Sequence, residues 1–142
     1  MKFMIIVKAS KDSEAGKMPS TELLTARGKF NQELVDAGVM VAGEGLHASS
    51  KGARVRFAGA NRSVTNGPFA GTENLIAGFW LWQVDSLQTA IDWVKRCPNP
   101  HADDCEIEIR QVMAAEDFGE ALTPEIKAQE ARMRAAAEAR KA

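Results

Sequence analysis

The sequence predicts an α+β fold in which an antiparallel sheet of four strands carries two helices on one face. Residues 3–7 and 75–84 have apolar side chains at odd and even positions alike, which is typical of strands covered on both faces. Residues 20–37 and 85–97 instead space their apolar side chains at helical intervals. Residues 106–110 alternate apolar and charged side chains, as an edge strand does.

The first half of the chain predicts a strand, a helix and a second strand. Ser20 is a suitable cap for a helix that runs to Ala37, and Gly38 supplies a left-handed stop. The second strand, residues 39–42, leads into residues 43–47 (Gly-Glu-Gly-Leu-His), where two glycines allow the backbone to bend or to approach another group closely. The polar residues before Ser20, from position 9 to 18, are predicted to form a loop.

The second half adds a hairpin and a second helix. Residues 54–57 and 63–65 flank a Gly-Ala-Asn-Arg turn, which predicts a hairpin outside the central sheet. Asp85 and Gln88 have the spacing of a capping box, and Pro98 prevents the helix from continuing. The predicted order of elements is therefore β-α-β, hairpin, β-α-β.

The carboxy-terminal segment differs in composition from the rest of the chain. After Met113 the sequence is rich in Ala, Glu, Lys and Arg. Thr123 followed by proline and glutamate is typical of a helix start, so a surface helix is predicted over residues 124–140. We therefore divide the chain into a domain at residues 1–113 and a helical extension at residues 114–142.

Composition excludes several classes of function. The 142 residues contain 18 Lys and Arg against 19 Asp and Glu, so the formal net charge of -1 disfavours binding to nucleic acid or to an anionic membrane. No apolar stretch approaches the roughly 20 residues that cross a bilayer, and the amino terminus has the pattern of a strand rather than a signal peptide. A cytoplasmic protein is predicted, with Cys97 and Cys105 as reduced thiols.

The two apolar strands also predict self-association. Two helices cover only one face of a four-stranded sheet, yet residues 3–7 and 75–84 are apolar on both faces. If the second face stayed in water, the fold would lose roughly 25 cal/mol of stabilisation for each Å² of apolar surface left unburied. A homodimer packed sheet against sheet is therefore predicted. The alternative is that the carboxy-terminal helix covers this face with the thin apolar stripe of Leu122, Ile126 and Met133.

Five segments resemble, in order and in spacing, those of the YCII-related family, which is also known by its Asp-Gly-Pro-Phe motif. They are residues 43–46 (Gly-Glu-Gly-Leu), 66–70 (Asn-Gly-Pro-Phe-Ala), 77–79 (Ala-Gly-Phe), 93–98 (Trp-Val-Lys-Arg-Cys-Pro) and 106–110 (Glu-Ile-Glu-Ile-Arg). The resemblance implies a ferredoxin-like fold that pairs as a dimeric α+β barrel, with a cleft in each subunit between the sheet and its neighbouring loops. It implies no particular reaction.

The chain departs from this family at titratable positions. Members often carry Asp-Gly-Pro-Phe-Ala-Glu-Thr-Lys-Glu, whereas residues 66–74 read Asn-Gly-Pro-Phe-Ala-Gly-Thr-Glu-Asn. Asn66 keeps the shape of aspartate but cannot act as a general base. Arg27 lies near the position of a helix histidine in short members, and arginine does not give up its proton in proteins. These exchanges favour conserved architecture over catalysis.

Six residues are predicted to bind a ligand in the cleft that the resemblance implies. They are Arg27, Glu44, His47, Asn66, Phe69 and Thr72. His47 is the only candidate for catalysis, as an imidazole beside Glu44, although it also fits an ordinary exposed loop histidine. Glu44 equally fits a structural role in the loop.

Two further groups have competing interpretations. Cys97, His101 and Cys105 are ligand types suited to zinc, but their spacing fits no standard site, so no metal is predicted. Trp80 and Trp82 lie on one face of a central strand, and we interpret them as the core of the dimer interface rather than the lining of a pocket.

The leading functional hypothesis is a homodimer that binds a small polar metabolite without strong catalysis and without a cofactor. The chain carries no phosphate loop, nucleophile elbow or dinucleotide fingerprint. One alternative is an isomerase or lyase in which His47 carries the proton and Arg27 or Arg110 holds an anionic substrate. Another is an interaction protein linked to an alternative sigma factor, since relatives are often encoded beside one, with the charged tail as the binding arm.

Overall fold

The computed structural model describes residues 1–140, and the chain divides into two compact units, residues 1–111 and the segment that begins at Val112. The strands are β1 (Lys2–Lys8), β2 (Met40–Gly45), β3 (Ala53–Ala58), β4 (Asn61–Asn66), β5 (Ile76–Gln83) and β6 (Ile107–Gln111). The helices are α1 (Lys11–Glu14), α2 (Thr21–Asp36), α3 (Leu87–Lys95) and α4 (Pro124–Ala139). Short 3₁₀ turns lie at Ser49–Lys51, Thr72–Asn74 and Ala115–Ala121.

Four strands form one antiparallel sheet in the order β2-β5-β1-β6. Ile5 at the centre of β1 lies opposite Trp80 of β5 on one side and Ile109 of β6 on the other. Strand β6 is an edge of the sheet, as its alternating pattern predicted, and β3 and β4 pair separately as a hairpin. The predicted α+β fold with its antiparallel sheet is confirmed.

Side-chain caps fix the starts of the helices. The Ser20 hydroxyl accepts a hydrogen bond from the Leu23 amide at 3.1 Å, which confirms the predicted start of α2. Helix α3 begins one residue later than predicted, because Ser86 rather than Asp85 is its cap and accepts from the Thr89 amide at 3.1 Å. The one-residue shift places the hydroxyl, not the carboxylate, within reach of the third amide of the helix.

The segment predicted as a polar loop contains the short helix α1. Ser10 and Ser13 cap it reciprocally, since each backbone amide donates to the other hydroxyl, at 2.9 and 3.1 Å. This Ser-x-x-Ser arrangement is a variant of the capping box, which normally has an acid or amide at its fourth position. A helix of four residues leaves no periodic apolar pattern, so it was not predicted.

The core of the first unit lies between the sheet and helix α2. The Phe30 ring packs edge-on against Trp80, Trp82 and Trp93, with ring centroids 6.1, 6.3 and 6.3 Å away. Trp82 is fully buried and Trp80 is 7% exposed. The interpretation of Trp80 and Trp82 as dimer-interface core is therefore wrong, because both fill the chain's own core beneath α2.

The opposite face of the sheet is only half-buried. Along β1 and β5, burial alternates: Phe3, Ile5 and Val7 are buried, whereas Met4 and Ile6 are of intermediate exposure. Phe79 and Leu81 of β5 are also of intermediate exposure. The strand register pairs them with Ile6 and Met4, respectively. The prediction that both faces are covered is therefore not met within the single chain.

The second unit contains helix α4, which begins where the sequence predicted. The Thr123 hydroxyl accepts from the Ile126 amide at 3.2 Å, and Pro124 occupies the first turn. No residue of α4 is buried among those that the structure describes, and Ile126 and Met133 are 41% and 55% exposed. Over residues 1–140, no helix combines the length and apolar character that a membrane span requires.

Candidate functional site

A cleft of about 1260 Å³ lies in the first unit, where α2, the ends of β2 and β5, and three loops meet. The loops are those that follow β1, β2 and α3. Three of the six predicted ligand-binding residues line this cleft, namely Arg27, Glu44 and His47. Sequence segments that are far apart in the chain therefore contribute polar groups to one concave surface.

The other three predicted residues lie outside the cleft lining. Asn66 ends strand β4, and Thr72 begins a 3₁₀ turn. The Phe69 amide donates a hydrogen bond to the Ser49 hydroxyl at 2.9 Å, and its ring lies 3.9 Å beneath the Arg54 guanidinium. The structure thus separates the Asn-Gly-Pro-Phe motif from the polar groups that face the cleft.

The motif instead builds the wall of the cleft through backbone contacts. A Cβ atom on Gly67 would lie 1.7 Å from the Ser49 carbonyl oxygen, so no larger residue fits this position. The Gly67 amide donates to the Gly52 carbonyl at 2.9 Å. Ser49 in turn donates its hydroxyl and its amide to the carboxylate of Glu14, which lines the cleft. The motif therefore positions cleft-forming loops.

Helix α2 supplies two half-buried polar side chains to the cleft, Arg27 and Asn31. An Arg27 nitrogen, Nη2, donates to the Pro100 carbonyl at 3.2 Å, which ties the helix to the loop after α3. Asn31 lies one turn further along the same helix face, and its Oδ1 accepts the Trp80 Nε1 hydrogen at 3.0 Å. Asn31 was not predicted, because its partner is 49 residues away in sequence.

The glycine at position 43 makes the Trp80 contact possible. Gly43 on β2 lies opposite Trp80 on β5, and a Cβ atom there would be 2.7 Å from Trp80 Cδ1. Without that atom the indole lies close to β2 and its Nε1 reaches Asn31. The group that approaches the backbone closely at Gly43 is therefore the chain's own Trp80.

Two histidines line the cleft, and they differ in burial and in hydrogen bonding. His101 is half-buried, and its Nε2 lies 2.6 Å from the Lys8 carbonyl oxygen, so this nitrogen carries the proton in the bond. His47 is exposed, and within residues 1–140 neither its side chain nor that of Glu44 makes a hydrogen bond or salt bridge. Both side chains line the cleft, and no hydrogen bond or ion pair joins them in this part of the chain.

The two cysteines of the loop after α3 have separate hydrogen-bond partners. The Cys97 thiol donates to the Pro98 carbonyl at 3.3 Å, and the Cys105 thiol donates to Asn99 Oδ1 at 3.2 Å. Burial raises the pKa of the Cys97 thiol to about 11, which disfavours the thiolate that a metal requires. The described part of the chain contains no group of three or more His, Cys, Asp or Glu side chains arranged to hold a metal.

Comparison with known proteins identifies the family to which this chain belongs. The model of the YCII-related domain matches residues 1–116, which is well over half of the chain. A search of curated proteins found no match. The matched segment includes every element that lines the cleft, from β1 to the loop after α3. With this match and the antiparallel α+β fold, the chain belongs to the YCII-related domain family.

Proposed function

We propose that the protein is a homodimer that binds a small polar metabolite in the cleft without strong catalysis. The observation that carries the proposal is the cleft of about 1260 Å³, whose lining includes half-buried Arg27, half-buried Asn31 and the indole of Trp80. Ligand sites generally combine such a concave, partly apolar surface with a few fixed polar groups. No cofactor is part of the proposal.

The surroundings of the residues that the sequence singled out for acid–base chemistry support binding rather than catalysis at those positions. A general base has to be held within hydrogen-bonding reach of the proton it removes, usually by a third group. His47 is exposed and lacks a carboxylate partner among the described residues. Arg27 cannot release a proton, and Asn66 lies away from the cleft.

A ligand screen by thermal shift tests the proposed binding. At least one small polar metabolite should raise the melting temperature, because a compound at 100 times its Kd stabilises the fold by about 2.7 kcal/mol. Ala102 lines the cleft and is exposed, so Ala102→Trp should fill the site without disturbing the core. The shift should disappear in that variant.

The matched control for this screen is Ala60→Trp, at the exposed turn of the β3–β4 hairpin and outside the cleft. It should keep the full shift. Failure of every compound, or a shift that survives Ala102→Trp, would contradict binding in this cleft.

Support for the homodimer comes from the open face of the sheet. Met4, Ile6, Phe79 and Leu81 form a half-buried apolar strip at its centre, which remains in contact with water in the single chain. Strips of this kind mark interfaces in soluble proteins. A second copy, related by two-fold symmetry, would cover the strip with the same apolar residues.

A charge placed in this strip should separate the subunits. Leu81→Asp is expected to convert the dimer to a monomer, because an unpaired carboxylate would be buried in an apolar interface. Light scattering after size exclusion measures the mass. Leu24→Asp makes the same change on helix α2 at a side chain that is 52% exposed, and it should leave the dimer intact. A wild-type chain of monomer mass at micromolar concentration would refute the dimer.

A further inference from the structure

The amide of Asn31 has a fixed orientation in the cleft. The indole nitrogen of Trp80 can only donate, so the atom of Asn31 that faces it at 3.0 Å must be the carbonyl oxygen Oδ1. The amide nitrogen Nδ2, with its two hydrogens, has no other protein partner within residues 1–140. Asn31 therefore presents donors, not acceptors, to the cleft.

The Arg27 guanidinium adds further donors one helical turn away. Within residues 1–140 it makes one hydrogen bond, from Nη2 to the Pro100 carbonyl, and no acid there forms a salt bridge with it. A guanidinium has five N–H donors in a fixed fork, so several remain for a ligand. The Pro100 contact restrains the side chain, which lowers the entropy that a ligand must remove to order it.

The charges around the cleft favour a ligand with a single negative charge. The lining contains three acids and three bases, which are Asp12, Glu14, Glu44, Lys17, Arg27 and Lys51. Asp12 lies 3.9 Å from Lys17, and Glu14 accepts two hydrogen bonds from Ser49. The lining therefore carries no net charge when both histidines are counted as neutral. Of its three bases, Lys17 and Lys51 are exposed and Arg27 is half-buried, so a single cation is fixed inside the cleft. The second charge of a dianion would have no such partner.

We infer that Arg27 and the amide of Asn31 form a carboxylate subsite, and that the metabolite is a small monocarboxylic acid. The inference rests on the proposed binding function of the cleft and specifies its ligand. The two oxygens of a carboxylate match the fork of Arg27, and Nδ2 of Asn31 donates to the same group. Trp80, through its bond to Oδ1, and Gly43, through the space it leaves for the indole, act as positioning residues.

Titration with matched acids and amides tests the subsite. The probes are lactate, pyruvate and benzoate, their neutral amides, and inorganic phosphate, with tryptophan fluorescence and thermal shift as readouts. At least one acid should bind, and its amide should bind roughly tenfold or more weakly, because a charge-assisted bond is worth about 1.5–3 kcal/mol. Phosphate should bind more weakly than that acid.

Two substitutions locate the binding. Arg27→Met removes the guanidinium, and Asn31→Asp keeps an oxygen for Trp80 while replacing the donors by a second acceptor. Each should weaken binding of the acid by roughly tenfold or more. Lys29→Met on the same helix and Asn61→Asp on the hairpin make matched changes at exposed positions outside the cleft, and both should bind normally.

The outcomes separate this inference from the proposed function. If an acid and its amide bind equally, or if Arg27→Met and Asn31→Asp bind the acid normally, the subsite is refuted while binding in the cleft stands. If no monocarboxylate binds but another polar metabolite does, and Ala102→Trp abolishes its binding, only the subsite is refuted. If nothing binds, both the subsite and the proposed function are refuted.

Discussion

Replacing Phe30 with alanine is expected to lower the free energy of unfolding by about 3–5 kcal/mol. The Phe30 side chain is 3% exposed and packs edge-on against three tryptophans, Trp80, Trp82 and Trp93. Its removal leaves a cavity between α2 and the sheet and forfeits the aromatic contacts. Denaturant unfolding followed by tryptophan fluorescence measures the loss and reports on all three indoles.

The control for Phe30 is Phe57, a phenylalanine that lies outside the core. Phe57 is 71% exposed on the β3–β4 hairpin, with the Arg62 guanidinium 4.4 Å above its ring. Phe57→Ala should change the free energy of unfolding by less than about 1 kcal/mol. Equal losses in the two variants would show that Phe30 is not the centre of the core.

The Phe30 substitution also connects the core to the cleft. Phe30 holds the indole of Trp80 against β2, and Trp80 orients the amide of the residue that follows Phe30, Asn31. A loosened indole should therefore weaken ligand binding even where the variant remains folded. The apolar stripe of α2 thus stabilises the fold and also fixes the polar edge of the cleft.

Local patterns were sufficient to predict most of the fold. The apolar runs of β1 and β5 and the alternation of β6 depend on side chains within each segment, and the structure confirms those strands. Which face the tryptophans occupy depends on how α2 packs against the sheet, and no local pattern of Trp80 and Trp82 contains that information. Their assignment to a dimer interface was wrong for this reason.

The site was predictable only where its residues carry a local signal. Glu44 and His47 stand beside two glycines, and Arg27 was noted from the family position, so all three were found and all three line the cleft. Asn31 and His101 depend on partners 49 and 93 residues away in sequence. The sequence offers no sign of such long-range hydrogen bonds.

The motif at Gly67 gives the second large prediction. Gly67→Ala is expected to cost about 3 kcal/mol or more, because the new Cβ would lie 1.7 Å from the Ser49 carbonyl oxygen and one backbone segment would have to move. The contact is with backbone, so no side-chain rotation relieves it. Denaturant unfolding of the variant measures the cost.

Gly28 provides the control for Gly67, since it lies within α2 and an added Cβ meets nothing within 4 Å. Gly28→Ala should raise the free energy of unfolding by about 0.5–1 kcal/mol, because alanine loses less backbone entropy in a helix. The same substitution is therefore expected to have opposite signs at the two glycines. A Gly67→Ala variant as stable as the wild type would contradict a steric role for this glycine. The clash would fall on Ser49, which also holds the cleft-lining carboxylate of Glu14, so the motif and the cleft share this contact.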